Sequence, residues 1–158
     1  MTITFHPIGY LRSDAEDVPR HWTVSDLEGD LEIFPEYETG LSDINVGQRI
    51  VVLFHFDRSP AFTLDQLKQK KRHTDEIKGV FSICSPKRPN PIGLSVLTVL
   101  EQDGCRIRVK GVDMLDGTPI LDIKPYVSKF DFVEQERNGW LDKIVEKPSE
   151  KRSDNRFS

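Results

Sequence analysis

Two short stretches carry residue types from which a binding site is made. The first, SPKRPNPIGLS over residues 85–95, sets three prolines within six residues around Lys87, Arg88 and Asn90. Prolines at 86, 89 and 91 fix three φ angles, so the intervening polar side chains are held out at little entropic cost. Arg88 could then grip a carboxylate or phosphate with two N–H groups, and Asn90 could read an amide or a base edge. A stiff turn that merely stops edge pairing explains the same prolines. The second stretch, LDGTPILDIKPY over 115–126, offers a tight turn at Asp116-Gly117, a hydroxyl at Thr118 and nearby carboxylates at Asp113, Asp116 and Asp122. A carboxylate or turn amide is what a ribose diol or an adenine edge requires, while an Asx turn beside a strand would need no ligand.

The remaining chemistry is sparse. No Ser/His/Asp set, Cys/His pair, Walker loop or G-x-G-x-x-G is present, and His6, His21, His55 and His73 are scattered. Cys84 and Cys105 lack C-x-x-C spacing and paired histidines, which argues against zinc and for a reducing compartment. The 22 Lys and Arg against 26 Asp and Glu leave a net charge of −4, unlike a protein that coats nucleic acid. The cations are nonetheless clustered. KQKKRH brings Lys68, Lys70, Lys71 and Arg72 together, Lys87 stands in the proline loop, and Arg106, Arg108 and Lys110 alternate along one segment. Such clusters are either phosphate contacts or a solvated face.

The elements that must position these residues read mainly as strands. Residues 2–11 predict an early or edge strand, and GDLEIF over 29–34 alternates with Leu31 and Ile33 on one face. Tyr37, Leu41 and Ile44 predict a short helix over 36–45. QRIVVLFHF over 48–56 is a near-continuous apolar run, expected to be a central, fully buried strand. The segment 57–78 is charged and fits a helical turn or a loop; GVFSI over 79–83 predicts a short strand. PIGLSVLTVL over 91–100 and CRIRVKGV over 105–112 flank Asp103-Gly104, a strong hairpin signal. Trp140, Leu141, Ile144 and Val145 share one helical face, so a C-terminal helix is expected over 132–147, followed by a disordered tail over 148–158.

With 158 residues, 37% of them hydrophobic and 30% charged, the chain is expected to form one globular domain. No apolar stretch approaches the ~20 residues of a membrane helix, and the N-terminus lacks a signal-peptide pattern, so a cytoplasmic protein is expected. Many short strands without strand–helix alternation point to a mainly β fold, a small closed or curled non-Rossmann β-barrel with one or two short helices.

RPNPIGLS (88–95) followed by LDGTPILDIKPYV (115–127), with IGYLRS (8–13) upstream and VVLFHF (51–56) between, resembles the TsaA-like/TrmO family. The resemblance covers roughly residues 3–131, hence an expected barrel domain over 1–131. It implies a barrel that binds S-adenosylmethionine, is usually a homodimer and N6-methylates threonylcarbamoyladenosine beside the anticodon of threonine tRNA. No metal is implied.

Carried over position by position, the resemblance puts the cofactor at His21, Trp22 and Thr23, at Asp57 and Arg58, at Cys84, Arg88, Asn90 and Leu94, and at Asp116, Gly117, Thr118 and Pro119. The better-known bacterial pattern has Gln-Pro-Gly where this chain has His21, Trp22 and Thr23. It has His-Gln at Asp57 and Arg58, and Thr-Arg at Ile83 and Cys84. Trp22 in this setting could stack on an adenine or face the sulfonium, a contact worth about 0.5–2 kcal/mol. Proton removal from the acceptor would fall to Asp116, Tyr126 or water. The characterised bacterial enzymes append a C-terminal domain that helps hold tRNA; here the RNA contacts would fall to Lys68, Lys70, Lys71, Arg72, Lys87, Arg106, Arg108 and Lys110. Two other functions fit the same residues: a cofactor-binding enzyme with a small-molecule or other RNA acceptor, and a non-catalytic sensor or RNA-binding module.

Overall fold

A computed structural model describes residues 1–129. The expected helix over 132–147 and the tail over 148–158 lie outside the described residues.

Eight strands form in chain order: β1 (Gly9–Arg12), β2 (Glu28–Ile33), β3 (Arg49–His55), β4 (Lys68–Lys70), β5 (Ile77–Gly79), β6 (Ile92–Asp103), β7 (Arg106–Lys110) and β8 (Pro119–Pro125). Six of them close a barrel in the order β1-β2-β7-β6-β3-β8, while β4 and β5 form a separate hairpin. All neighbouring pairs are antiparallel. The barrel follows from period-two alternation: Ile50, Val52 and Phe54 of β3 point inward, as do Leu97 and Val99 of β6 and Ile107 and Val109 of β7. Leu11, Leu31 and Ile120 complete a core in which each buried aliphatic side chain contributes about 1.5–3 kcal/mol.

β6 is the long diagonal member. Its first half pairs with β3 and its second with β7, with a register shift between Val99 and Glu101. Gly93 stands opposite Phe54, and a Cβ there would come within 2.2 Å of the Phe54 ring. Only glycine lets that ring fill the barrel at this level. The hairpin expected at Asp103-Gly104 joins β6 to β7, and the mainly β barrel is present as the sequence predicts.

Several local expectations differ. The first strand begins only at Gly9, because Pro7 has no N–H to offer a ladder, and Ile3 and Phe5 are exposed. β3 is buried on one face only; Val51, Leu53 and His55 are half-buried on the outer wall. The helix expected over 36–45 is a 3-10 helix, Pro35–Leu41, which buries Leu41 alone. Over 79–83 a 3-10 turn, Val80–Ser82, replaces the expected strand; Val80 is buried and Phe81 faces solvent. The charged segment 57–78 contains the 3-10 helix Leu64–Leu67, whose start Thr63 and Gln66 close as a capping box, and then β4.

Candidate functional site

Strand polarity gathers the candidate residues. In an antiparallel barrel of this order, the ends where β1, β3 and β7 finish and β2, β6 and β8 begin make one rim. The connections at that rim are residues 13–27, 56–91 and 111–118. They contain every cofactor residue carried over from the family pattern except Leu94, on the outer face of β6 opposite Leu53, and Pro119, which opens β8.

One cluster centres on the Asp116–Pro119 turn. Gly117 has φ +80°, a left-handed conformation that favours glycine. The Asp116 carboxylate accepts the Ser13 backbone N–H at 3.0 Å, and its backbone carbonyl accepts the Arg58 guanidinium. Gly117 N–H donates to the Leu11 carbonyl at 2.8 Å. The Thr118 hydroxyl is buried and donates to the Leu115 carbonyl at 2.6 Å, so it braces the turn from within. Asp57 is exposed beside Arg58.

A second cluster centres on a residue that sequence reasoning named as a carboxylate but did not place in the site. Asp113 accepts the Ser95 hydroxyl at 2.5 Å and a backbone N–H of Trp22. Burial pushes its carboxyl up to about 6 despite these donors. Cys84 lies within electrostatic reach of both Asp113 and Arg88; burial pushes its thiol up and the Arg88 guanidinium pulls it down. Arg88 donates Nη1 to the carbonyls of Ile83 and Ser85 at 3.1 and 3.2 Å, closing the proline loop on itself. The loop is tied down from outside as well: Ser59 donates to the Pro86 carbonyl and Gln69 to the Lys87 carbonyl. Asn90 is exposed, and its carbonyl accepts Ile92 N–H at 2.7 Å. The signal that could have singled out Asp113 is its place between two buried apolar residues, Val112 and Met114.

His21 caps the short 3-10 helix Trp22–Val24. Its Nδ1 accepts Thr23 N–H at 3.3 Å and lies 2.8 Å from the Thr23 hydroxyl. Burial pulls its imidazole down to about 4, so the ring is neutral at pH 7. Trp22 packs 5.2 Å from it, centroid to centroid.

Tyr126 does not join Asp116. It follows β8, whose seven residues at ~3.3 Å each put roughly 20 Å between them, and its ring lies 4.2 Å from the Arg49 guanidinium. The cations fall into three places. Lys68, Lys70, Lys71 and Arg72 occupy β4 and its turn, beside Lys87, with Lys70 paired to Asp75 and Lys71 to Glu76. Arg106 and Arg108 are locked on the outer wall by Asp30, Glu28 and Glu101 at 3.1–3.2 Å. Lys110 lines a separate cleft with Trp22 and Arg49. Among the described residues no group of three or more His, Cys, Asp or Glu could hold a metal ion, and no helix is long and apolar enough to cross a membrane.

A six-strand β-barrel with these loops on one rim defines a class, and sequence comparison specifies it. Residues 11–132 match the family model described as the tRNA-methyltransferase O N-terminal domain, and the chain belongs to that family. It is 44% identical to a probable S-adenosyl-L-methionine-binding protein of Pyrococcus abyssi, over 99% of this chain and 86% of that protein. It is 35% identical to the tRNA (adenine(37)-N6)-methyltransferase of Mus musculus, over 79% of this chain and 31% of that protein. A crystal structure of TrmO from Pseudomonas aeruginosa superposes with a TM-score of 0.69 at 34% identity, covering 90% of this chain and 62% of the other. The chain thus spans under two thirds of that structure and about a third of the murine enzyme.

Proposed function

We propose that this chain is an S-adenosylmethionine-dependent methyltransferase that N6-methylates threonylcarbamoyladenosine beside the anticodon of tRNA. The observation that carries the reading is the convergence of the Asp116 turn, the proline loop and Asp113 on one barrel rim, in a chain of this family. The residues present suit the cofactor's chemistry. Arg58 and Arg88 offer guanidinium N–H groups for its carboxylate. The half-exposed Leu94 offers apolar surface for adenine, and the Trp22 segment borders the wall through its backbone N–H to Asp113. Asp57, Cys84, Asn90 and the Asp116–Pro119 turn complete that wall, with His21 and Thr23 fixing the Trp22 segment.

When bound, S-adenosylmethionine supplies a methyl group already activated by its sulfonium. The chain's own work is to hold the adenosine N6 in line with that methyl and to accept the proton released. An anticodon-loop base is single-stranded, so it can be splayed into a site at low cost. Asp113 suits the proton-accepting role best: a carboxyl pushed up to about 6 is ionised at neutral pH and still basic enough to receive a proton. Asp116 is the alternative on the same rim, whereas Tyr126 lies at the other end of β8. The β4 cations with Lys87 border the rim and form its RNA-facing edge; Arg106, Arg108 and Lys110 lie on the outer wall. Exposed apolar residues of the 56–91 excursion, Leu64, Ile77 and Phe81, suit the face of a homodimer. Both cysteines are unpaired, which suits the cytoplasm, where tRNA is met.

The archaeal relative's name claims cofactor binding only, which keeps a second reading: the same cofactor with a small-molecule or other RNA acceptor, or no transfer at all. Calorimetric titration with S-adenosylmethionine, followed by a methyl-transfer assay on tRNA from a strain lacking this protein, separates them. Binding with transfer to tRNA adenosine is expected. Absence of binding heat would sink every cofactor reading, and binding without transfer would leave only the second.

A further inference from the structure

The outer wall carries a cleft of about 300 Å³, the small end of ligand-pocket sizes, formed where the Trp22–Ser25 segment crosses β6. Strand register builds its floor. Arg49 of β3 pairs with Thr98 of β6, and Thr98 pairs with Lys110 of β7, so the three lie in one row across adjacent strands. All three side chains point outward, since their neighbours Ile50, Leu97, Val99 and Val109 point in. Cross-strand spacing of ~5 Å per step leaves two cations flanking one hydroxyl, with Trp22 as a side wall.

The cations of this row are available in a way that Arg106 and Arg108 are not. No carboxylate pairs with Arg49 among the described residues; its guanidinium lies instead against the Tyr126 ring at 4.2 Å and the Trp22 ring at 5.9 Å. Ring contacts hold a guanidinium by its face and leave its N–H edge for an acceptor. Among the described residues Lys110 is ion-paired only with Asp26, at 3.6 Å and almost wholly exposed, which competes weakly with a phosphate; Glu28, opposite it on β2, is engaged by Arg108.

We propose that this cleft holds one nucleotide of the RNA acceptor, its phosphate between Arg49 and Lys110 and its base against Trp22. The inference rests on the RNA-acceptor reading above and adds a subsite outside the cofactor wall. Trp22 links the two: its backbone N–H holds Asp113, and its side chain walls the cleft. A nucleotide seated here would lie against the same Trp22 segment that holds Asp113. Stacking on an aromatic ring together with a cationic backbone contact is the usual way proteins hold unpaired RNA.

Arg49→Gln and Lys110→Gln test it, the second being a surface change that leaves the fold in place. A synthetic anticodon stem-loop RNA is titrated by fluorescence anisotropy across a salt series, and S-adenosylmethionine by calorimetry without RNA. Each variant is expected to weaken RNA binding about 5–10-fold and to reduce the salt slope by about one, with cofactor affinity changed less than about twofold. Unchanged RNA affinity in both variants would overturn the subsite. So would a parallel loss of cofactor affinity, which would make the cleft part of the cofactor's own site. If the wild type binds the RNA through this row yet transfers no methyl group, the subsite stands and the tRNA-methylation reading falls.

Discussion

The outer wall of β2 and β7 and the loop-built rim both concentrate charge, but they treat it differently. On the wall, Arg106 and Arg108 share Asp30 and each has a further carboxylate, Glu101 or Glu28. At the rim, the Asp113 carboxylate is held by a hydroxyl and a backbone amide, with burial raising it to about 6. A carboxylate matched by arginines is neutralised in place. One held by neutral donors keeps a proton affinity near working pH, which is the condition for moving protons. Arg49 lies between these cases, with aromatic partners on two sides.

The largest effect should separate the two regions by activity. Asp113→Asn keeps the shape and the Ser95 contact but removes the proposed proton acceptor, so kcat for methyl transfer is expected to fall by about 10²–10⁴. Arg106→Gln on the wall should change kcat less than about twofold. In the wild type, kcat/KM should rise with pH through about 6 and then level off; an Asp113→Asn variant that kept that profile and its rate would remove Asp113 from the chemistry.

Packing beneath the rim comes next. Gly93→Ala drives a methyl into the Phe54 ring, and overpacking of this kind costs about 1–3 kcal/mol. Urea denaturation should report that loss, while a midpoint equal to wild type would mean that Phe54 has room to move.

Burial at the rim also gives two opposing pH dependences of stability. Asp113, folded at about 6 against an ordinary value of 3.8, contributes stability that is present below about 4 and lost as pH rises to about 6. His21, folded at about 4 against 6.5, contributes stability that is present above about 6.5 and lost as pH falls through about 4. Across pH 4–6 they offset one another. Relative to wild type, Asp113→Asn should therefore gain stability as pH rises from 4.5 to 6, and His21→Gln should lose it, each by roughly 1–2 kcal/mol. Denaturation midpoints of both variants that track wild type across this range would show that neither group is desolvated as described.

The sequence made the barrel legible and the distribution of charge illegible, for one physical reason. Alternation is a local property, so Leu31 and Ile33, Ile107 and Val109, and the Asp103-Gly104 turn announce themselves. Pairing is not local. Arg106, Arg108 and Lys110 read as one stripe, and only the β2–β7 register, joining segments about 80 residues apart, sets Asp30 opposite Arg108 while Lys110 turns to the cleft. The two motif loops stood out as candidates because proline fixes its own φ and glycine permits the tight turn after Asp116. Asp113 did not, because its one local cue is the flanking pair Val112 and Met114, and the donors that define its environment, Ser95 and Trp22, come from elsewhere in the chain. Local punctuation likewise overrode pattern at Pro7, which shortened the first strand.

The smallest expected effect bears most directly on the comparison between wall and cleft. Asp30→Asn removes the carboxylate that Arg106 and Arg108 share and leaves each arginine with one partner, Glu101 and Glu28 respectively. These pairs are part-buried, with over a third of each arginine side chain in solvent, and each arginine keeps a second carboxylate, so the melting midpoint should fall by no more than about 2–4 °C. Anisotropy with the stem-loop RNA should show an affinity gain of about twofold at low salt that vanishes at high salt, the mark of a cation partly released. A gain of tenfold or more would place an RNA contact of its own on the β2–β7 wall and remove its contrast with the Arg49–Lys110 row. A loss of affinity would show that the carboxylate network positions its arginines for RNA, and the contrast between neutralised wall and open cleft would collapse.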